Sequence, residues 1–328
     1  NSATLNGNGP VVGTGTWTQL SGPNIVTITL PSNPLSTVTG MIAGTYSFNW
    51  SIVSGVCASS DDDVQIIVYD LPTVSDAGPD QQLCNLSSAT LAGILPVTGI
   101  GNWTLVSGPN VPVITDANDP ATTITSLIAG VYIFQWTIVN GVCAASSDQV
   151  SITIYDIPTT ANAGPNDDLC SVTSITLAGN IATIGTGTWT LVSGPNIPVI
   201  TSPNSPTSTV TGMMDGAYVF SWSIANGVCA VSSSNVTYTI FNQPTVLDAG
   251  LDQSICNSAS STMAGNVPGV GFGTWTLISG PNIPTITSVN DPATTITGMI
   301  NGIYLFGWRI TNGPCSTPVD SIQIINYD

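Results

Sequence analysis

Cysteines and carboxylates carry most of the chemistry open to this 328-residue chain, which has seven Cys, 18 acidic residues, no His and one basic residue, Arg309. The cysteines form two series, Cys57, Cys143, Cys229, Cys315 and Cys84, Cys170, Cys256. Both advance by 86 residues (143 − 57 = 86; 170 − 84 = 86). Thiols paired at fixed spacing in an exterior protein predict disulfides. Zinc fits poorly, because it wants Cys-x-x-Cys or His ligands and the chain has neither. A buried free thiol is the plain alternative. The next cysteine of the second series would fall just before Asn1, so the odd count is expected to follow from where the chain starts.

The carboxylates suggest a cation. Asp70, Asp76 and Asp80 surround one point of the sequence, and Asp156, Asp248 and Asp252 return at equivalent positions, with Asn162, Asn166 and Asn242 at others. Oxygens so grouped could hold Ca²⁺, which takes roughly six to eight of them. Asp and Asn are also turn formers, and that is the competing reading. It is stronger for Asp116–Asp119 and Asn290-Asp291, and Asp61-Asp62-Asp63 reads as a solvated bulge. Beyond Ca²⁺ no cofactor is expected. Catalysis has little to work with: no His, no Lys, no phosphate loop and no repeated carboxylate pair on one strand face. A net charge of −17 with a single basic side chain excludes nucleic acid and disfavours an anionic membrane surface. With 6 % charged residues, the chain is nonetheless no disordered acidic tail.

What positions these residues is a repeat. Tyr46, Phe48, Trp50 and Ile52 alternate with Thr45, Ser47, Asn49 and Ser51, the period of a half-buried β-strand. Tyr132, Phe134, Trp136, Ile138, then Tyr218, Phe220, Trp222, Ile224, then Tyr304, Phe306, Trp308, Ile310 repeat it at the same step of 86. A second tryptophan keeps that step, at Trp17, Trp103, Trp189 and Trp275, so all eight tryptophans are expected in the cores. The repeats are 1–70, 71–156, 157–242 and 243–328, and the first begins 16 residues short (86 − 70 = 16). The chain therefore reads as an internal piece of something longer, with no signal or membrane-spanning run.

Within 71–156, strands are expected near 81–84, 89–93, 103–107, 111–115, 122–127, 131–139 and 150–155. Asn140-Gly141 reads as a two-residue type I′ hairpin, repeated at Asn226-Gly227 and Asn312-Gly313, with Ser54-Gly55 in the first repeat. Seven short strands with frequent turn signals and no helical period predict an all-β tandem array of four immunoglobulin-like sandwiches, the first truncated.

That strand count bears on the cysteines. Pairing within a repeat would give Cys84–Cys143, Cys170–Cys229 and Cys256–Cys315. Five strands lie between the members of each pair, which puts them at opposite ends of a sandwich. Strands are about 17–20 Å long, whereas a disulfide needs Cα atoms within about 7 Å. In an end-to-end array Cys84 meets Cys229 and Cys170 meets Cys315 instead. One miscounted strand reverses the argument, so both schemes stay open here.

Three phrases also carry a resemblance: Asp76-Ala77-Gly78-Pro79-Asp80-Gln81, Trp103-Thr104-Leu105-Val106-Ser107-Gly108-Pro109 and Ala43-Gly44-Thr45-Tyr46-Ser47-Phe48-Asn49-Trp50. They resemble PKD-type and related immunoglobulin-like repeats of long secreted surface proteins of Bacteroidota, including type IX-secreted adhesins and gliding proteins. The Trp-Asp-Phe-Gly-Asp-Gly run of the best-known PKD domains is missing. The resemblance implies an extracellular stalk, adhesin or filament with no catalytic residues. Its partners would be neighbouring repeats of a longer chain and other copies in a filament. A glycan- or cell-binding module and self-assembly by strand exchange are the alternatives. Sequons at Asn49, Asn85, Asn102 and Asn235, and Asp320-Ser321-Ile322, are candidate glycosylation signals.

Overall fold

The computed structural model describes residues 1–328 and contains strands and no helix, hence no helix able to cross a membrane. The chain forms two compact units, Asn1–Tyr155 and Asp156–Asp328. Each holds two β-sandwiches with separate hydrophobic cores.

In the first unit, the first sandwich comprises β1 (Ser2–Thr4), β2 (Thr14–Ser21), β3 (Thr27–Ile28), β4 (Thr37–Thr39), β5 (Gly44–Val53) and β6 (Ser60–Val68). The second comprises β7 (Gln81–Cys84), β8 (Ser88–Thr90), β9 (Ile100–Ser107), β10 (Val113–Ile114), β11 (Thr123–Thr125), β12 (Gly130–Val139) and β13 (Ser146–Tyr155). The second unit begins with β14 (Asp167–Cys170), β15 (Ser174–Thr176), β16 (Thr186–Ser193), β17 (Val199–Ile200), β18 (Thr209–Thr211), β19 (Gly216–Ala225) and β20 (Ser232–Phe241). Its other sandwich holds β21 (Gln253–Cys256), β22 (Ser260–Thr262), β23 (Phe272–Ser279), β24 (Thr285–Ile286), β25 (Thr295–Thr297), β26 (Gly302–Asn312), β27 (Cys315–Ser316) and β28 (Asp320–Tyr327).

One plan serves all four. A sheet ordered β7-β13-β12-β9 faces a sheet ordered β10-β11-β8, and only the β7–β13 pair is parallel. The first sandwich lacks the counterpart of β7, so its sheet ends at β6 (order β2-β5-β6). The all-β tandem array is thus the fold of this chain.

The aromatic alternation exists because one face of β12 is wholly inward: Tyr132, Phe134, Trp136 and Ile138 are fully buried. Trp136 lies opposite Trp103 of β9 in the register, with ring centroids 5.0 Å apart. Equivalent pairs join Trp17 to Trp50, Trp189 to Trp222 and Trp275 to Trp308. Burying each such side chain stabilises by roughly 1.5–3 kcal/mol. The indole N–H groups stay bonded, Trp136 Nε1 to the Ile94 carbonyl at 3.0 Å and Trp103 Nε1 to that of Pro120 at 3.3 Å.

The Gly-Pro-Asn phrase is explained by the same strand. A Cβ on Gly108 would lie 2.5 Å from the Tyr132 ring. The Tyr132 hydroxyl donates to Asn110 Oδ1 and accepts the Ile128 N–H at 2.9 Å, while Asn110 Nδ2 donates to the Ser126 carbonyl at 2.8 Å. The other three sandwiches place Tyr46 on Asn24, Tyr218 on Asn196 and Tyr304 on Asn282. Turn, tyrosine and strand are one assembly.

Three expectations are corrected. The strands predicted at 111–115 and 122–127 shrink to β10 and β11, because in those stretches threonine and asparagine side chains share the backbone hydrogen bonding. The Asn-Gly turns are not I′ hairpins: Asn140 is the first residue of a turn closed by Cys143 N–H to Asn140 O at 3.1 Å, and only Gly141 has positive φ (+57°). Asp61, Asp62 and Asp63 form no bulge but continue β6 in unbroken register with Ser51, Trp50 and Asn49.

Candidate functional site

The strongest constellation lies where one sandwich meets the next within a unit. In the second unit β20 ends at Phe241, beside Cys170 at the end of the parallel strand β14. The turn after β26 reaches this point with three residues. Asn312 Nδ2 donates to the Asn242 carbonyl at 2.9 Å. Gly313, at φ +56°, lies so close to Phe241 that a Cβ would stand 2.6 Å from the ring. Cys315 is bonded to Cys170, with S–S 2.03 Å and Cα–Cα 5.1 Å. Aromatic, amide and cystine together fasten the two sandwiches at one spot.

The first unit repeats the contact with one bond fewer. Asn140 Nδ2 donates to the Asp70 carbonyl at 2.9 Å, and a Cβ on Gly141 would meet the Tyr69 ring at 2.5 Å. Cys143 is a free thiol whose Sγ lies 3.8 Å from the Tyr69 carbonyl. Asn226 Nδ2 likewise donates to the Asp156 carbonyl at 2.8 Å. Asn-Gly is therefore a latch onto a preceding chain segment. Its recurrence at the 86-residue step, like that of Tyr69, Tyr155 and Phe241, was the available signal.

The geometry of one sandwich explains which cysteines meet. Cys170 pairs with the last residue of β20, while Cys229 lies just before the first. At about 3.3 Å per residue, the 10-residue strand β20 sets them roughly 30 Å apart. Cys84 and Cys143 are held apart in the same way by β13. The rival pairs Cys170–Cys229 and Cys256–Cys315 do not form, since Cys170 and Cys315 hold each other. Cys57, Cys143 and Cys256 are free, whereas Cys84 of the first unit and Cys229 of the second are not among the free thiols.

The carboxylates proposed for Ca²⁺ are not brought together: no group of three or more acidic, Cys or His side chains exists. Each instead takes a backbone N–H. Asp76 accepts from Gly78 at 2.9 Å, Asp80 from Ser151 at 2.8 Å, Asp248 from Gly250 at 2.8 Å and Asp252 from Gln323 at 2.8 Å. Asp70 and Asp156 contribute main-chain carbonyls to the latches. Asp148 and Asp320, not singled out from sequence, accept from Ala77 and Ala249 at 2.8 Å each and so pin the segment entering each sandwich. Two groups have shifted titration. The Ser51 and Ser59 hydroxyls hold Asp61 below the usual carboxylate range. Burial, then the Asp167 charge, pushes the Tyr238 phenol up.

Parts of the chain are similar to known proteins. Residues 77–154, the second sandwich, match the PKD domain family of the KIAA0319-like proteins. The chain is 23 % identical over 337 residues to the Dyslexia-associated protein KIAA0319-like protein of Mus musculus, covering 94 % of this chain and 32 % of that protein. To the human Dyslexia-associated protein KIAA0319 it is 26 % identical over 223 residues, 62 % of this chain and 21 % of that protein. The chain thus spans about a third or less of these curated relatives. Among solved structures, the N-terminal eight Ig domains of Down Syndrome Cell Adhesion Molecule align with all of this chain and 47 % of theirs, at 13 % identity and TM-score 0.47. The PKD domain from the KIAA 1837 protein aligns over 28 % of this chain and 93 % of its own, at 29 % identity and TM-score 0.24.

Proposed function

We propose that the chain is a non-catalytic spacer in an extracellular protein, a series of sandwiches whose junctions are fastened so that it carries something at a distance. The supporting observation is the Cys170–Cys315 bond between consecutive sandwiches, reinforced by Asn312 and Gly313. A disulfide at such a junction requires an oxidising compartment, which argues for a place outside the cytosol. The finer reading, a stalk or filament segment of a Bacteroidota surface protein, rests on the sequence phrases, while the relatives described above are mammalian. Small-angle scattering tests the spacer: the expected maximum dimension is unchanged by modest salt and shortens or broadens when the disulfide is reduced. A compact, salt-sensitive particle contradicts it.

A binding role has its own support. Ile25, Val111, Ile197 and Ile283 occupy the same loop of the four sandwiches and are 93 %, 83 %, 89 % and 89 % exposed. Apolar side chains repeated on the surface without a structural need suit contact with another cell-surface molecule. Glycan-array binding abolished by Ile197→Ser and Ile283→Ser would favour this role. Strand exchange would use the outer edge of β6, and a concentration series by light scattering reads it directly.

A further inference from the structure

We propose that the Cys170–Cys315 disulfide removes most of the second unit from the path of a pulling force, so that a thiol reductant sets how far the chain can be stretched. The inference rests on the spacer reading. The bond joins residues 145 apart in sequence. Tension applied at Asn1 and Asp328 runs along the backbone to Cys170, crosses the sulfur bridge and leaves from Cys315. Strands β15 to β26 lie between the two cysteines, and with them nearly all of both cores. Pulling can peel β14 from the sheet edge and strip β28, but it cannot separate the ends of the bridged loop. At about 3.3–3.6 Å per extended residue, the loop withholds roughly 500 Å of chain.

The bridge is open to exchange from one side. Cys315 is 1 % exposed, whereas Cys170 is partly exposed at the end of an edge strand. A reductant thiolate therefore attacks Cys170 Sγ. The new S–S bond forms as the Cys170–Cys315 bond breaks, and the electron pair leaves on Cys315 Sγ, which takes a proton. A second thiolate attacks the reductant sulfur of the mixed disulfide and releases Cys170, which is protonated in turn. Two thiols have supplied two electrons and two protons and end as a disulfide.

The test uses the full chain with Cys84→Ser and Cys229→Ser, so that the Cys170–Cys315 bond is the one the thiol cuts. The termini are held in an optical trap at a force that unfolds the sandwiches, and dithiothreitol is then added. Extension is expected to stop roughly 500 Å short and to gain that length after the thiol arrives. Adding Cys170→Ser and Cys315→Ser should give full length with no thiol. Equal extension before and after the thiol overturns the inference. Near-UV circular dichroism of the paired tryptophans checks folding. If the serine variants fail it, the unaltered chain serves, with a gain of at least the same size expected and no gain refuting. A thiol-dependent step in a chain that scattering finds compact would refute the spacer and leave this inference standing. A stiff chain without the step would do the reverse.

Discussion

Gly101 and Trp136 set the tolerance of each core. A Cβ on Gly101 would lie 2.0 Å from the Trp136 ring, and Gly15, Gly187 and Gly273 stand in the same relation to Trp50, Trp222 and Trp308. Gly101→Ala must move the indole or the strand, and overpacking of this kind costs about 1–3 kcal/mol. Trp136→Ala should cost about 3–5 kcal/mol. Chemical denaturation followed by tryptophan fluorescence checks both, and an alanine at 101 without effect would mean the two strands are not so closely apposed. Tyr238 adds a pH signature. Its phenol titrates higher folded than unfolded, so its contribution is complete below the ordinary phenol range and is lost as pH rises through the folded value. Alkaline melts should therefore destabilise the sandwich of β14–β20 more in the parent than in Tyr238→Phe. These glycines and the lone tyrosine in β20 were not readable in advance, because their meaning depends on what the other sheet strand puts opposite them.

Among the elements, legibility followed the physics of alternation. The long strands β5, β12, β19 and β26 were plain in the sequence because one face is buried and the other is not. Strands of two or three residues, such as β10 and β24, have too few positions to alternate. The parallel pairing of β7 with β13 left no trace either, since its partners are some 70 positions apart (152 − 81 = 71). Asn-Gly was read as a turn, which it is, yet the amide is retained for a bond to the preceding segment. Asn312→Asp removes that donor and sets a carboxylate against the Asn242 carbonyl. The expected loss at this junction is about 1–3 kcal/mol, seen as faster amide exchange around 312–316 with the sandwich cores still protected. Unchanged exchange there would deny the latch its role.

For the molecule as a whole, four near-identical cores, a charge of −17 and fastened junctions belong together. Each sandwich is small, and a small core supplies modest stability. Covalent and hydrogen-bonded junctions limit independent opening of neighbours, while abundant like charge keeps copies apart in solution. The sequence period revealed the number of sandwiches. It did not reveal that the carboxylates near each junction serve backbone N–H groups, because a turn-forming aspartate and a calcium ligand look alike until their neighbours are placed. The central claim is that the end of one sandwich's first strand is joined to the turn before the last strand of the next. Peptide mapping under non-reducing conditions, with free thiols blocked before digestion, tests it most directly. The account predicts a linked pair containing Cys170 and Cys315 with Cys256 blocked as a free thiol; a pair joining Cys170 to Cys229, or Cys256 to Cys315, would contradict it.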